Sequence, residues 1–210
     1  MLALTAKVLV AYLIGSLSGS LLLGRLGGFD VRRHGSGNAG GTNALRTRGL
    51  RFALGVMVID IGKGVLAVAV VPGWPAETTV DPGLVTAACG LGVILGHMYP
   101  VFFGFRGGKG AAAFVGGAGV MLPSALGPVL LIWALMIVLT GYVGLATICA
   151  ATSFFFVALW LADPAQWSWL LPYAALGALL VIYAHRSNIR RLFEGTENRF
   201  DRVRVQNWRR

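Results

Sequence analysis

Three stretches of the chain hold side chains suited to phosphate and carbonyl oxygens: GSGNAGGTNALR (35–46), GHMYPVFFGFRGGKG (96–110) and HRSNIRRLFEGTEN (185–198). In the first, Ser36, Asn38, Thr42 and Asn43 are small donors. The glycines around them, Gly35, Gly37, Gly40 and Gly41, let backbone N–H groups point into a concavity that suits an oxyanion. Arg46 and Lys109 add charge, the arginine as a planar bidentate donor and the lysine as a mobile point charge, a pairing suited to phosphate. His185 and Asn188 are three residues apart, so both project from one helical face toward the same place. Any one of these features could be a flexible turn or a flanking charge. Flanking duty, however, needs neither asparagine nor glycine.

Several familiar chemistries are excluded by spacing. GFRGGKG has no glycine five residues before its Gly-Lys step and no Ser or Thr after the lysine, so it is not a Walker A loop. Ala39, Phe102 and Arg190 stand five positions after His34, His97 and His185, so the His-x4-Asp dyad of one large acyltransferase class is absent. Five scattered aspartates rule out the metal-binding cluster of CDP-alcohol transferases, and there is no Ser-His-Asp or zinc pattern; the metal set is expected to be empty. Cys89 and Cys149 both fall in apolar stretches and read as small buried hydrophobes.

The elements that carry these clusters are membrane spans. Hydrophobic residues make up 56% of the 210 residues and charged ones 12%, with a mean hydropathy of +0.73, which places the chain in the all-α, polytopic membrane class. Apolar windows of roughly 17–25 residues, the length a ~30 Å hydrocarbon layer demands, follow one another. They predict seven helices, near 2–24, 52–72, 84–105, 110–122, 128–141, 143–162 and 168–185. The fourth is too short to cross alone unless it is tilted or continues from a re-entrant segment. Of the eighteen Lys and Arg residues, six lie between Arg25 and Arg51, two are Arg106 and Lys109, and eight lie between Arg186 and Arg210. Glu77, Asp81 and Asp163 occupy the intervening loops. The positive-inside rule puts all three clusters on the cytoplasmic side, the amino terminus outside and the carboxyl terminus inside. It also argues against a cleaved leader ending at SLSGS, because cleavage would leave the arginine-rich loop outside. Arg25, Arg32, Arg33, Arg48, Arg51 and the far C-terminal arginines read as orientation signals and contacts with anionic lipid, not nucleic acid.

Asp60 and Lys63 lie one helical turn apart inside a span, either as a structural clamp or as a functional pair. His97, just before Pro100 at a span's inner end, reads as a helix-packing residue.

On its three signatures, in order and separation, the chain resembles the PlsY family of bacterial acyl-phosphate:glycerol-3-phosphate acyltransferases over nearly its whole length. Gly41 stands where the family usually has Ala, and Ala112 and Ala113 replace a VAT-like run. The resemblance implies transfer of a fatty acyl group from acyl phosphate to the sn-1 hydroxyl of glycerol 3-phosphate, giving lysophosphatidic acid and inorganic phosphate. An acyl phosphate is a mixed anhydride with a good leaving group, so neither a covalent nucleophile, a metal nor a cofactor is required; positioning and charge stabilisation suffice. Implied catalytic residues are Ser36, Lys109 and His185. Ser36, Asn38, Gly40, Thr42 and Asn43, with Lys109, would bind the acyl phosphate and the transition-state oxyanions. Arg46, Lys109, His185 and Asn188 would hold glycerol 3-phosphate, Glu197 would order the tail motif, and Gly35, Gly37, Gly107 and Gly108 would line the binding loops. The proton acceptor is either His185 or a substrate phosphate. Residues 1–198 are expected to form the acyltransferase domain and 199–210 a basic cytoplasmic tail. The expected setting is a monomer in the bacterial inner membrane, in contact with its lipids and with no nucleic acid, its site facing the cytoplasm. The rival reading is a small transporter of a phosphorylated solute, which the charge-free run from Ala111 to Ala162 supplies with hardly any polar path.

Overall fold

The first apolar stretch does not form one rod. In the computed structural model, which describes residues 1–76 and 78–200, α1 (Leu2–Gly15) and α2 (Gly19–Leu26) meet at an angle of 48°. Glu77 and residues 201–210, most of the basic tail, lie outside the described residues. The break falls on Gly15-Ser16-Leu17-Ser18-Gly19, in which two glycines and two serines weaken the helix. Ser18 is extended, and its carbonyl accepts the Leu22 N–H at 2.9 Å to start α2.

The next helix begins earlier than hydropathy suggests. α3 (Gly41–Ala69) starts inside the first motif and is interrupted only at Gly49, where φ is +78°. Thr42, Asn43 and Arg46 therefore sit in the opening turns of a helix and not in a loop. Nothing stops the helix there: Gly40 is extended at the N-cap and its carbonyl accepts the Ala44 N–H at 3.0 Å. α4 (Pro82–Met98) is capped by Asp81, whose Oδ1 accepts the Leu84 N–H at 3.1 Å. Then come α5 (Ala111–Met121), α6 (Leu126–Thr140), α7 (Val143–Leu161), α8 (Trp167–Ala184) and α9 (Arg186–Phe193). Among the described residues five helical stretches are long and apolar enough to cross a membrane, or six if the bent α1–α2 pair is counted as one span, and α5 is a shorter apolar helix.

Packing is by close backbone approach, as expected where lipid competes for apolar side chains. α1 lies along α4 and α3 along α5, while α6, α7 and α8 pack in sequence and α8 returns to α4. At the α3–α5 crossing a Cβ on Gly64 would come within 2.3 Å of the Ala113 carbonyl oxygen, and one on Gly116 within 2.2 Å of that of Ile61. The second half of the molecule is centred on Phe114, Phe154 and Tyr173. Their rings meet at 5.4–6.3 Å, and the Tyr173 hydroxyl donates to the Phe114 carbonyl at 3.1 Å. At the end away from the motifs, Lys7 donates to the Pro72 carbonyl at 2.7 Å and ties α1 to the turn that follows α3.

Gly116→Ala should force α5 away from α3, at a cost of about 1–3 kcal/mol. Gly62→Ala, where a Cβ meets nothing within 4 Å, serves as the control. Thermal unfolding in detergent should show a lower Tm for the first variant alone; equal Tm values would contradict the close crossing.

Candidate active site

The loop before α3 is folded around one side chain. Asn43 is almost fully buried; its Oδ1 accepts the Ser36 N–H at 2.9 Å, and its Nδ2 donates to the carbonyls of Val31, His34 and Asn38, each at 3.0 Å. The sequence reading made Asn43 a donor to an oxyanion, but the structure spends its amide on shaping the loop. Gly35 is required here twice over, by a φ of +59° and because a Cβ would sit 2.3 Å from Asn43 Oδ1. Gly37 also has positive φ, and a Cβ on Gly40 would crowd the Asn38 amide at 2.8 Å. The Ser36 and Thr42 hydroxyls and the Asn38 amide make no hydrogen bond among the described residues, which leaves them for a ligand. Beside them, the first N–H groups of α3 carry no capping side chain and no acidic residue stands in the first turn. A helix start of this kind attracts anions.

The second loop is pinned to this one. Arg32 pairs with Asp30 at 2.8 Å and donates to the carbonyls of Phe103 at 2.9 Å and Arg106 at 3.2 Å, so it staples loop to loop and is not the lipid contact expected of it. Gly104, Phe105 and Gly110 all have positive φ, and the chain between them doubles back on the end of α4. There Gly107 N–H donates to the Met98 carbonyl at 3.2 Å and Gly108 N–H to that of His97 at 3.0 Å. A Cβ on Gly107 would stand 2.1 Å from the His97 carbonyl oxygen, and one on Gly108 would stand 2.1 Å from its ring Nε2.

Lys109 emerges from that turn and joins the third cluster. Its Nζ donates to Asn188 Oδ1; Asn188 Nδ2 donates to Glu197 Oε1 at 2.7 Å; and Arg191 pairs with Glu197 Oε2 at 2.6 Å. Glu197 is only 3% exposed in its side chain, and among the described residues it is the sole anion facing Lys109, Arg46 and Arg191. Burial, and next the positive charge of Arg191, push the Lys109 ammonium down to about 8, against the pull of Glu197. His185 closes the junction of α8 and α9. Its Nδ1 lies 2.8 Å from the Val181 carbonyl, an acceptor only, so that nitrogen carries the proton and Nε2 presents a lone pair. Burial, and then the charge of Lys109, lower His185 to about 4, so it is neutral near pH 7.

The tail beyond α9 folds back as a strap. Phe200 N–H donates to the Gly141 carbonyl at 2.9 Å, Arg199 Nε to the Thr140 carbonyl at 3.0 Å, and Arg46 lies 4.9 Å over the Phe200 ring. Thus Arg46, Lys109, His185, Asn188 and Glu197 form one connected group, with Gly107 and Gly108 beneath Lys109. Ser36, Asn38, Gly40 and Thr42 belong to the adjacent loop, where Ala39 O lies 3.0 Å from a Cβ on Gly108. Sequence reasoning missed the pairing of Arg191 with Glu197, because one arginine in RSNIRRLF looks like the next. It also missed the closing of Asp60 and Lys63 onto His97; the in-span spacing of the first two was the available signal. Among the described residues no three His, Cys, Asp or Glu side chains come together as metal ligands.

Residues 5–195 match the family model for glycerol-3-phosphate acyltransferase. Proteins of that name from Halalkalibacterium halodurans (41% identical, 93% of this chain and 94% of the relative covered) and Chlorobaculum parvum (38%, 95% and 97%) are similar across their lengths. A crystal structure of PlsY, an integral membrane glycerol 3-phosphate acyltransferase in its glycerol 3-phosphate form, superposes with a TM-score of 0.83 at 36% identity, covering 94% of this chain and 95% of that one.

Anion affinity should follow the charge on Lys109. Sulfate, whose own charge is constant across the range, should bind with unchanged affinity from about pH 5.5 to 7 and lose it as the pH rises through about 8, where the Lys109 proton leaves. Titration calorimetry reads this, and Lys109→Arg should carry the affinity to higher pH; a midpoint near 6 would implicate a histidine instead.

Proposed function

The chain belongs to the PlsY family of glycerol-3-phosphate acyltransferases, and on that premise we propose that it takes its acyl group from an acyl phosphate and delivers it to the sn-1 hydroxyl. The products are lysophosphatidic acid and inorganic phosphate. The observation that carries this reading is the convergence of Lys109, Asn188, Glu197, Arg191 and Arg46 into one cationic group beside a helix start that lacks any anion. A site with two phosphate-bearing substrates needs that excess of positive charge.

The hydroxyl oxygen attacks the acyl carbon, the C–O bond to phosphate breaks, and phosphate leaves with the electron pair. Negative charge develops on the carbonyl oxygen and on the leaving phosphate, where Lys109, the Ser36 hydroxyl and the N–H groups of the first loop stabilise it. Arg46, His185 and Asn188 hold glycerol 3-phosphate, and Glu197 fixes Asn188 and Arg191. The hydroxyl proton passes to the His185 lone pair or to a substrate phosphate. No nucleophile from the protein is needed, because binding both substrates in register supplies much of the acceleration.

The same reading makes the protein a monomeric, seven-span enzyme of the bacterial cytoplasmic membrane, with the bent α1–α2 pair and the short α5 each counted as a crossing. Its amino terminus is outside and its carboxyl terminus and site are cytoplasmic, as the distribution of arginines supports. Residues 1–198 are the catalytic domain. Asp81 and Asp163, at the opposite end, serve as helix-start caps, Asp163 accepting the Ala165 N–H at 2.8 Å.

Purified protein given labelled glycerol 3-phosphate should turn over palmitoyl phosphate but not palmitoyl-CoA or palmitoyl-acyl carrier protein, and Lys109→Ala should abolish the product. Equal or better use of a thioester would overturn the donor assignment. His185→Ala should raise the KM for glycerol 3-phosphate more than it lowers kcat; a loss of 10²-fold or more in kcat at constant KM would make His185 the general base.

A further inference from the structure

Asp60, Lys63 and His97 are almost completely buried, lie on two different helices, and are themselves none of the groups assigned above to substrate. Asp60 Oδ1 accepts the Gly19 N–H at 3.0 Å and pairs with Lys63 at 2.9 Å. Lys63 Nζ donates to the Leu17 carbonyl at 3.2 Å and to His97 Nδ1 at 2.7 Å. The same Nδ1 lies 3.4 Å from Asp60 Oδ1, so this edge of the ring faces the ion pair and Nε2 lies on the other edge. That is the ring edge against Gly108, where even a Cβ would collide at 2.1 Å. The same histidine's carbonyl accepts the Gly108 N–H, and a Cβ on Gly107 would strike it. His97 is therefore held on one edge by an ion pair, while its other edge and its backbone form the seat on which Gly107 and Gly108 rest, one residue before Lys109.

A clamp for the broken first span would need only Asp60 and Lys63. The third member, and two consecutive glycines fitted against it, extend the cluster to the loop that carries Lys109. We propose that Asp60, Lys63 and His97 are positioning residues for acyl transfer, a single rigid unit that sets where the Gly107–Lys109 loop lies and so holds Lys109 at the reacting phosphate. The inference rests on Lys109 having the role given to it under the acyl-transfer reading.

Three variants of the purified, monodisperse enzyme test it by steady-state kinetics beside thermal unfolding: Lys63→Met, Lys109→Met and the double. Lys63→Met keeps the side chain's length but releases His97 Nδ1 and Leu17 O. It should lower kcat roughly ten- to a hundredfold, because a displacement near 1 Å at a reacting centre costs on that order. Lys109→Met should cost on the order of 10²-fold or more. If Lys63 acts through Lys109, the double variant should be no worse than about twofold below Lys109→Met, the non-additivity expected of residues working as one unit. Losses that multiply in the double variant, or a Lys63→Met enzyme with a lower Tm but normal kcat, would overturn the proposal. Full turnover by Lys109→Met would remove the role of Lys109 itself and the proposal with it, whereas an impaired Lys109→Met beside a normal Lys63→Met leaves acyl transfer intact and sinks only the positioning unit. Should Lys63→Met not fold, Gly108→Ala disturbs the same contact from the loop side. A fall in kcat of similar size supports the unit, and a normal kcat rejects it.

Discussion

A helix broken inside an apolar layer leaves N–H and C=O groups that neither lipid nor water can satisfy, and each costs several kcal/mol if left alone. Here the break between α1 and α2 exposes the Gly19 N–H and the Leu17 carbonyl, and α3 answers with an aspartate and a lysine one turn apart. The two charges satisfy the broken backbone and each other at once, which is how a buried ion pair escapes its own desolvation penalty. Much of the motif end of the molecule follows from that arrangement. α2 can turn aside to hold the first loop, Ser20 donating to the Ala39 carbonyl at 2.9 Å, and His97 can be fixed at the end of α4 as the floor of the second loop.

The polar end is then assembled from backbone as much as from side chains. Asn43 shapes the first loop, Arg32 staples it to the second, and Glu197 binds Asn188 and Arg191 in the third. With Glu197 as the one acid among the described residues to face Arg46, Lys109 and Arg191, the group keeps a surplus of positive charge that is fixed before any substrate arrives. In a poorly solvated site such preorganised charge counts for more than the same charge in water, since it need not reorganise as the reaction proceeds.

Much of this was legible in the residues. Hydropathy located the apolar stretches, and the small donors, glycines and cations marked the three polar segments, because those types have no reason to occur together in a lipid-facing chain. Other features depended on contacts between distant residues. A 3.6-residue period cannot show that Ser16 to Ser18 breaks a helix whose exposed groups are met forty residues later, so the first span read as continuous. The sequence placed Thr42, Asn43 and Arg46 in a loop because their polarity looks like one, yet Gly40 simply starts the helix early. Asn43 read as a ligand donor because type and spacing do not tell which way an amide faces. Arg32 and Arg191 were indistinguishable from the other basic residues until Phe103 and Glu197 were folded against them.

The most direct test of the account is the state of Lys109 itself. The chain has three lysines and the other two are buried, so reductive methylation with a ¹³C label, which keeps the charge, gives an NMR probe of this site. In the folded enzyme the Lys109 signal should titrate near 8, and glycerol 3-phosphate should raise that midpoint as a bound anion stabilises the ammonium. A signal that titrates like a free lysine and ignores glycerol 3-phosphate would contradict the account.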